Sequence, residues 1–338
     1  MIFKKKQDAT VQQTAAGEAK PAAKGGKAAA FFRKNWKWMV PVVCVAVLGG
    51  WFILRPDKAQ DTNVDYDGTT VHAVGGAVYY SGFAAANTGH KTAVLPKADT
   101  AQVDLAAAFA PAPNVTVYPL HSRTSFVTKN VYHTPDRERR TSTVDSVIEP
   151  YRTEEVPDID AAIWHLAGLA AGDIPNEMIP FAARHAMVAI DVQTMLRWVE
   201  NGGMVYHDWA EKKELLPYVR FLKTDAAEAE ILTGLTDRAE AARQLYQWGA
   251  KEILITHNTE VLVYDGREIY TCPIRARNLS GRTGRGDTTF AGYINERLTA
   301  DIPTALRFAT ALVSLKMETP GPFTGTRADV DAYLKEFY

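Results

Sequence analysis

Short apolar runs alternate with amphipathic stretches along most of the chain after Gln60. Four of these runs are of the buried-strand type, at 92–96, 161–166, 187–191 and 252–256. The stretches 81–88, 176–186 and 237–249 between them predict helices, and Gly249 stands where a helix C-cap is expected. Strands that alternate with helices predict an α/β fold, with a mostly parallel sheet flanked by helices on both faces.

A second pattern has a period of two residues, which is typical of half-buried strands. It is present at residues 115–118 and again at 125–132. We therefore expect a small antiparallel β flap beside the main sheet.

Residues 38–54, WMVPVVCVAVLGGWFIL, contain no charged side chain. A helix of this length would span about 26 Å, the short end of what a bilayer crossing needs. The run predicts a single transmembrane helix and a single-pass membrane location. A cleaved signal peptide is one alternative. A buried strand over residues 42–47 is another, because β-branched side chains are frequent there.

The charge of the chain is unevenly distributed. Residues 1–37 carry nine Lys and Arg against two acids, whereas the whole chain has a formal net charge of −1. Few large apolar side chains occur before residue 31, so this basic tail is predicted to be disordered. The near-neutral total gives no reason to expect nucleic-acid binding. Two distant cysteines offer neither a disulfide framework nor a zinc site.

The strongest chemical signal is GRTGRGD at 281–287, followed by a predicted helix. Glycines at 284 and 286 allow a sharp turn that brings backbone N–H groups close to a ligand. The N-terminal end of the helix adds a positive dipole, so this turn suits phosphate oxygens. Asp287 at its mouth could take a proton from an attacking hydroxyl. The alternative is a glycine-rich turn in which Asp287 is an ordinary N-cap.

The 281–287 motif resembles the D-T-x-G-A-G-D signature of the ribokinase-like (PfkB) carbohydrate kinase family. Five other segments resemble motifs of that family and come in the same order along the chain. They are the Gly75-Gly76 pair with GFAAANTGHKTAVLPKAD after it, IWHL at 163–166, DVQTMLR at 191–197, FLKTDAAEAEILTG at 221–234, and GAKEILIT at 249–256. The resemblance covers residues 61–338 as one kinase domain. Its DVQTMLR segment is more similar to inositol- and nucleoside-type members than to ribokinase.

The resemblance implies a phosphotransferase that moves the γ-phosphoryl of ATP, with Mg²⁺, onto a hydroxyl of a small sugar, polyol or nucleoside. Asp287 corresponds to the catalytic base, and Gly284, Arg285 and Gly286 to the anion hole. Nucleotide and phosphate contacts are implied for Thr256, Thr283, Asp225 and Glu228, with Glu228 also near the metal through water. Acceptor contacts are implied for Asp61, Gly75, Gly76, Tyr80, Asp191 and Arg197. A homodimer is a further possibility.

The sequence departs from the family pattern in ways that leave alternatives open. Gly281 stands where the signature has Asp, and Asp225 where the family has Asn. The first strand of the fold has no obvious counterpart just before Asp61. Residues 1–60 resemble the membrane anchor of bacterial membrane-fusion (efflux adaptor) proteins. The chain could therefore be a catalytically impaired ligand-binding protein of the same fold, or an adaptor fragment joined to a truncated kinase.

Overall fold

The computed structural model describes residues 44–50, 61–73, 75–135 and 139–338, and for 44–50 it describes the backbone alone. The strands, in chain order, are β1 (Cys44–Gly50), β2 (Asp61–Val64), β3 (Thr70–Ala73), β4 (Lys91–Ala98), β5 (Val115–Val117), β6 (Leu120–His121), β7 (Val127–Tyr132), β8 (Arg140–Ser146), β9 (Ile163–Leu166), β10 (Met187–Asp191), β11 (Arg197–Glu200), β12 (Gly203–Tyr206), β13 (Val219–Asp225), β14 (Glu252–Thr256), β15 (Glu260–Tyr264) and β16 (Ile269–Pro273).

The α-helices of the same residues lie mostly between strands of the larger sheet or after them. They are α1 (Ala77–Asn87), α2 (Leu105–Phe109), α3 (Met178–Ala183), α4 (Gln193–Leu196), α5 (Lys212–Leu215), α6 (Ala226–Thr233), α7 (Arg238–Gln247), α8 (Arg285–Glu296), α9 (Ile302–Met317) and α10 (Arg327–Phe337). Several helices are capped at their N-terminus by a side chain that accepts a hydrogen bond from an N–H group of the first turn. Asp237 accepts from Glu240 N, and Asp301 accepts from Thr304 N.

The larger sheet has the order β16-β15-β14-β13-β10-β9-β1-β4-β5, with β6 also paired to β4. From β14 across to β5 all neighbours are parallel, and β15 and β16 close one edge in antiparallel pairs. The predicted mostly parallel sheet is confirmed. Strands β10 and β14 have the bounds that their apolar runs predicted, because both runs are buried along their whole length or nearly so.

Strand β1 lies in the middle of this sheet, between β4 and β9. Val47 is in register with Val94 on one side and with His165 on the other. The predicted transmembrane helix 38–54 is therefore wrong over Cys44–Gly50, and the strand that seemed to be missing is present. A central parallel strand is buried on both faces, so it has the same continuous apolar pattern as a short membrane span.

Across the described residues, the structure contains no helix that combines the length and apolarity required to cross a bilayer. The remaining residues of the predicted span, and the basic tail that was predicted to be disordered, lie outside the described part.

The second sheet has six strands in the order β11-β12-β8-β7-β2-β3. Strand β7 confirms the flap predicted near 125–132. The expectation for 115–118 is wrong, because β5 pairs in parallel with β4 at the edge of the larger sheet. Helix α2 lies in the connection between β4 and β5, which allows a crossover to a parallel partner. Two-residue alternation alone does not identify the sheet to which a strand belongs.

Candidate active site

A cavity of about 580 Å³ lies at the carboxyl ends of the parallel strands and continues onto the flap. This is the edge of an open α/β sheet at which ligands generally bind. The described residues that line it are Asp61, Gly76, Ala77, Tyr80, Phe126, Thr128, Asn130, Tyr132, Arg140, Ser142, Leu169, Gln193, Arg197, Met204, Tyr206, Lys223, Asp225, Ala227, Thr256, Arg282, Thr283, Gly284, Arg285, Gly286 and Asp287.

The glycine-rich loop forms one wall of the cavity and runs into helix α8. Gly284 is the N-cap of α8 with φ of 79°, and a Cβ there would lie 2.2 Å from the ring of Tyr80. No side chain could occupy this position without displacing Tyr80. The N–H groups of the first turn of α8 have no intrahelical acceptors and favour an anion. The N–H of Arg285, however, already donates to the carbonyl of Arg282 at 3.1 Å.

Asp287 lies in the first turn of α8, half-buried on the cavity wall. Burial raises the pKa of its carboxyl, and the positive charges of Lys223, Arg197 and Lys316 oppose that shift. A carboxylate with a raised pKa is a better proton acceptor than an ordinary surface aspartate. Its backbone is held against α1, because the Ser81 hydroxyl donates to the Asp287 carbonyl at 3.3 Å.

Two buried ion pairs support the floor of the cavity. Lys223 Nζ donates to both carboxylate oxygens of Asp191, at 3.0 and 2.9 Å. Arg197 donates to Glu228 Oε1 at 3.1 Å, and Glu228 Oε2 is 3.9 Å from Lys223 Nζ. Burial opposes the charge of Lys223, but Asp191, Glu228 and Asp225 together raise its pKa above the usual lysine range. Both cations line the cavity, while Asp191 and Glu228 lie behind them.

Asp225 and Glu228 form a capping box at the start of α6. Asp225 Oδ1 accepts from Glu228 N at 2.8 Å, and Glu228 Oε2 accepts from Asp225 N at 2.9 Å. Asp225 lines the cavity. No group of three or more metal-ligating side chains occurs in the described ranges. This donor set fits Mg²⁺ that is held mainly by phosphate oxygens and water, with one or two carboxylates nearby.

On the flap side of the cavity, Asp61 accepts hydrogen bonds from Thr128 N at 3.1 Å and from Thr128 Oγ1 at 2.5 Å. Burial raises the pKa of Asp61 to about 6, although the bonds from Thr128 act in the opposite direction. Its other oxygen, Oδ2, would be 2.5 Å from a Cβ on Gly75. The predicted glycine pair therefore gives room to the Asp61 carboxylate, and Gly76 itself reaches the cavity.

A chain of small polar side chains extends from Asp61 along the flap. Asn130 Nδ2 donates to Asn63 Oδ1 at 3.2 Å, and Ser142 Oγ donates to Asn130 Oδ1 at 2.7 Å. Tyr132 Oη and Thr283 Oγ1 are 3.2 Å apart, so the flap touches the glycine-rich loop. This wall offers donors and acceptors that suit a molecule with several hydroxyl groups.

Most of the residues expected from the sequence meet at this cavity. Those that line it are Asp61, Gly76, Tyr80, Arg197, Asp225, Thr256, Thr283, Gly284, Arg285, Gly286 and Asp287. Gly75, Asp191 and Glu228 are not among its lining residues and contact others that are.

Sequence reasoning missed one cation of the floor and the polar residues of the flap. Lys223 carried a signal, because it directly follows the apolar pair Phe221-Leu222, and a charged side chain in a buried strand requires a buried partner or a ligand. The flap residues Thr128, Asn130, Arg140 and Ser142 carried none, since their strands alternate as any half-exposed strand does.

An α/β fold in which a glycine-rich loop, a helix N-terminus and an adjacent carboxylate share one cavity defines a small-molecule kinase of the ribokinase-like class. Residues 57–328 match the model of the pfkB family of carbohydrate kinases. The chain belongs to this family. The match begins after β1, although β1 pairs within the kinase sheet. The resemblance of residues 1–60 to an efflux adaptor is therefore not supported.

Several relatives have this fold. A pyrophosphate-dependent kinase of the ribokinase family, solved with sulfate, is 33% identical with a TM-score of 0.76, covering 85% of this chain and 99% of that one. A pyrophosphate-dependent kinase of the same family, complexed with a pyrophosphate analogue and myo-inositol, is 32% identical with a TM-score of 0.75 and the same coverage. The ribokinase of Arabidopsis thaliana, complexed with ribose and ATP, is 16% identical with a TM-score of 0.65, covering 87% and 99%.

One curated kinase is similar over a shorter region. The cytidine kinase of Thermococcus kodakarensis is 38% identical over 85 residues, which are 24% of this chain and 31% of that kinase. The chain thus matches less than a third of the length of the cytidine kinase.

Proposed function

We propose that this kinase transfers a terminal phosphoryl group onto a hydroxyl of a small sugar, polyol or nucleoside, with Asp287 as the catalytic base. The observation that supports the proposal is that Asp287 and the glycine-rich loop line the same cavity. A hydroxyl bound there would have a proton acceptor and an anion-binding loop on the same side.

In the proposed reaction, the acceptor oxygen attacks the terminal phosphorus of the donor while its proton moves to an Asp287 oxygen. The bond from that phosphorus to the bridging oxygen breaks, and the shortened donor leaves. The first-turn N–H groups of α8 that follow Arg285, with Lys223 and Arg197, stabilise the negative charge on the transferred group. Asp61 and its flap neighbours hold the other hydroxyls of the acceptor, which fixes the attacking oxygen.

We propose Mg²⁺ as the metal, with Asp225 at the cavity and Glu228 behind it. When bound, Mg²⁺ would neutralise charge on the donor phosphates. Glu228 also has a structural role, since it accepts a hydrogen bond from Arg197 and takes part in the capping box at the start of α6.

Two donors are compatible with the cavity. The family as a whole favours ATP, which the sequence motifs also imply. Inorganic pyrophosphate is favoured by the cations of the wall: five cationic side chains line the cavity against the three carboxylates Asp61, Asp225 and Asp287, although two of the five, Lys223 and Arg197, are also paired with the buried Asp191 and Glu228. Those cations are Arg140, Arg197, Lys223, Arg282 and Arg285. A short donor of high charge density suits such a wall, and two relatives about one-third identical are pyrophosphate-dependent.

For the acceptor, we propose a cyclic polyol of the inositol type ahead of a nucleoside. The flap wall has hydroxyl, amide and carboxylate groups at Asp61, Thr128, Asn130 and Ser142, each of which can pair with a ring hydroxyl. A relative with 32% identity binds myo-inositol.

A matrix of donors and acceptors tests the proposal. Purified protein is incubated with Mg²⁺, with ATP or pyrophosphate as the donor, and with myo-inositol, ribose, fructose or cytidine as the acceptor. We expect ³¹P NMR to show a new phosphate monoester in at least one mixture. Tight binding of acceptors with no monoester in any mixture would instead support a ligand-binding protein of kinase fold.

A further inference from the structure

Lys316, near the end of helix α9, lies beneath the glycine-rich loop. Its side chain is buried, with the residue 2% exposed. The ammonium donates to the carbonyl oxygens of Gly281, at 2.5 Å, and of Thr283. It also lies 4.9 Å from the centre of the Tyr80 ring. Carbonyl oxygens and an aromatic face are groups that favour a cation.

The same loop is attached to the end of α9 by backbone contacts. Gly281 N donates to the Met317 carbonyl at 2.7 Å, and Ser280 Oγ donates to the Glu318 carbonyl at 2.7 Å. The loop approaches so closely that a Cβ on Gly281 would lie 1.8 Å from the Thr319 carbonyl oxygen. Lys316 is thus placed where the loop turns from α9 towards the cavity.

From these contacts we propose that Lys316 is a positioning residue, a tethered cation that holds the anion-binding loop in shape from below. It is not among the residues that line the cavity, so it acts through the loop and not by touching the donor. The two carbonyls that it binds flank Arg282, and the second precedes Gly284, the N-cap of α8. The inference rests on the proposed phosphoryl transfer and adds a residue that this reaction depends on.

A buried lysine at this position is costly, which argues against a merely accidental contact. Burial lowers the pKa of Lys316 to about 7, and the negative charge of Asp287 opposes that shift. Each of the two carbonyls would lose its side-chain donor if the ammonium were absent, and unpaired buried groups are unfavourable. The loop would then relax, and displacements near 1 Å at a reacting centre can cost about 100-fold in rate.

The tethered ammonium also occupies the carbonyl-lined space that a free monovalent cation would need. We therefore expect the turnover of the wild-type enzyme to be the same, within twofold, in chloride salts of K⁺, Na⁺, Cs⁺ and choline at equal ionic strength. Specific activation by one alkali cation would show that the carbonyls require an ion that Lys316 does not replace, and would overturn the proposal.

The decisive variant is Lys316→Met, which keeps the length of the side chain and removes its charge. We expect kcat to fall about 10- to 100-fold and the Kd for inorganic pyrophosphate, measured by calorimetry, to rise at least tenfold. In a second variant, Lys316→Ala, the shortened side chain leaves a cavity, and propylammonium should restore part of both there and have no effect on the wild type. Lys335→Met, at an exposed position of α10, is the matched control.

Unchanged turnover and unchanged pyrophosphate affinity in Lys316→Met would overturn the inference, as would losses in Lys316→Ala that propylammonium does not relieve. Calorimetry separates this inference from the proposed function. If the wild type binds pyrophosphate but phosphorylates no acceptor, the proposed reaction fails, while the comparison of the two affinities still decides the role of Lys316.

Discussion

Gly281 illustrates how one residue can depart from a motif for a local steric reason. The signature that the loop resembles has an aspartate here, which at first suggests a damaged site. In the structure the backbone of Gly281 lies against the end of α9, and no side chain fits between them. The glycine is what the close approach of these two segments requires. The argument for an impaired binding protein therefore loses one of its supports.

Asp61 gives a prediction at the same scale. Its folded-state pKa is raised to about 6 from an ordinary 3.8, chiefly by burial. The folded protein therefore holds this proton more tightly than the unfolded chain, and the free energy of unfolding falls as pH rises from 4 to 7. Asp61→Asn keeps an oxygen that can accept from Thr128. It should raise the free energy of unfolding at pH 7.5 by about 1–3 kcal/mol and leave it unchanged near pH 4.

Urea denaturation at both pH values measures this effect, with Asp67→Asn at an exposed turn as the control. Acceptor binding should weaken in Asp61→Asn even as stability rises, because the buried carboxylate that destabilises the fold is also the group proposed to bind the hydroxyls of the acceptor. Equal stability of wild type and variant at pH 7.5 would contradict the account of Asp61.

Individual site residues were predictable from sequence where a motif brought several chemical types together. The 281–287 segment is such a case, and its glycines and Asp287 do share the cavity. Asp191 was expected to meet substrate, yet it lies behind Lys223, since sequence does not show which of two residues at adjacent strand ends stands in front. Contacts across 206 residues, such as Ser81 with Asp287, depend on tertiary packing alone.

At the scale of elements, the ends of β10 and β13 are joined by a buried ion pair. Asp191, the last residue of β10, binds Lys223 with both carboxylate oxygens, and both side chains are almost fully buried. Removal of one partner leaves an uncompensated charge, which is far more costly than replacing the pair.

Asp191→Ala should therefore lower the free energy of unfolding by about 3 kcal/mol, at the lower end of the usual range because Glu228 remains 3.9 Å from Lys223. Chemical denaturation checks this value. Asp145→Ala, at an exposed position on β8, should have little effect. A loss below 1 kcal/mol in Asp191→Ala would mean that Lys223 does not depend on this partner.

Strands were easier to predict than their partners. The runs at 187–191 and 252–256 became β10 and β14 with unchanged bounds, because both lie in the parallel core. The segment at 115–118 has the alternation of a flap strand but joins the edge of the larger sheet. Local pattern determines that a segment is extended, and the connection before it helps to determine where it pairs.

At the scale of the whole molecule, β1 decides whether the larger sheet is continuous. It pairs with β4 and β9, so its loss would separate β4, β5 and β6 from the other six strands. The sequence left a buried strand over residues 42–47 open only as an alternative, because a parallel-sheet strand and a short membrane span have the same apolar composition. The structure supports that alternative over residues 44–47. The long interval between β1 and Asp61 also concealed its place in the kinase domain.

A truncation tests the role of β1. A chain that begins at Asp57, where the family match starts, should fail to unfold cooperatively and should expose apolar surface. A chain that begins at Val42 keeps β1 and should show a sharp thermal transition, because the ladders with β4 and β9 are retained. Differential scanning calorimetry and dye binding compare the two. Cooperative unfolding of the shorter chain would show that β1 is dispensable.

The central claim is that Asp287 takes the proton of the acceptor hydroxyl in the cavity of the glycine-rich loop. The most direct test compares wild type with Asp287→Asn, using the best donor and acceptor pair and following the phosphate monoester by ³¹P NMR. We expect kcat to fall about 10²- to 10⁴-fold with an unchanged melting temperature and similar acceptor affinity. Wild-type turnover in Asp287→Asn would contradict the account.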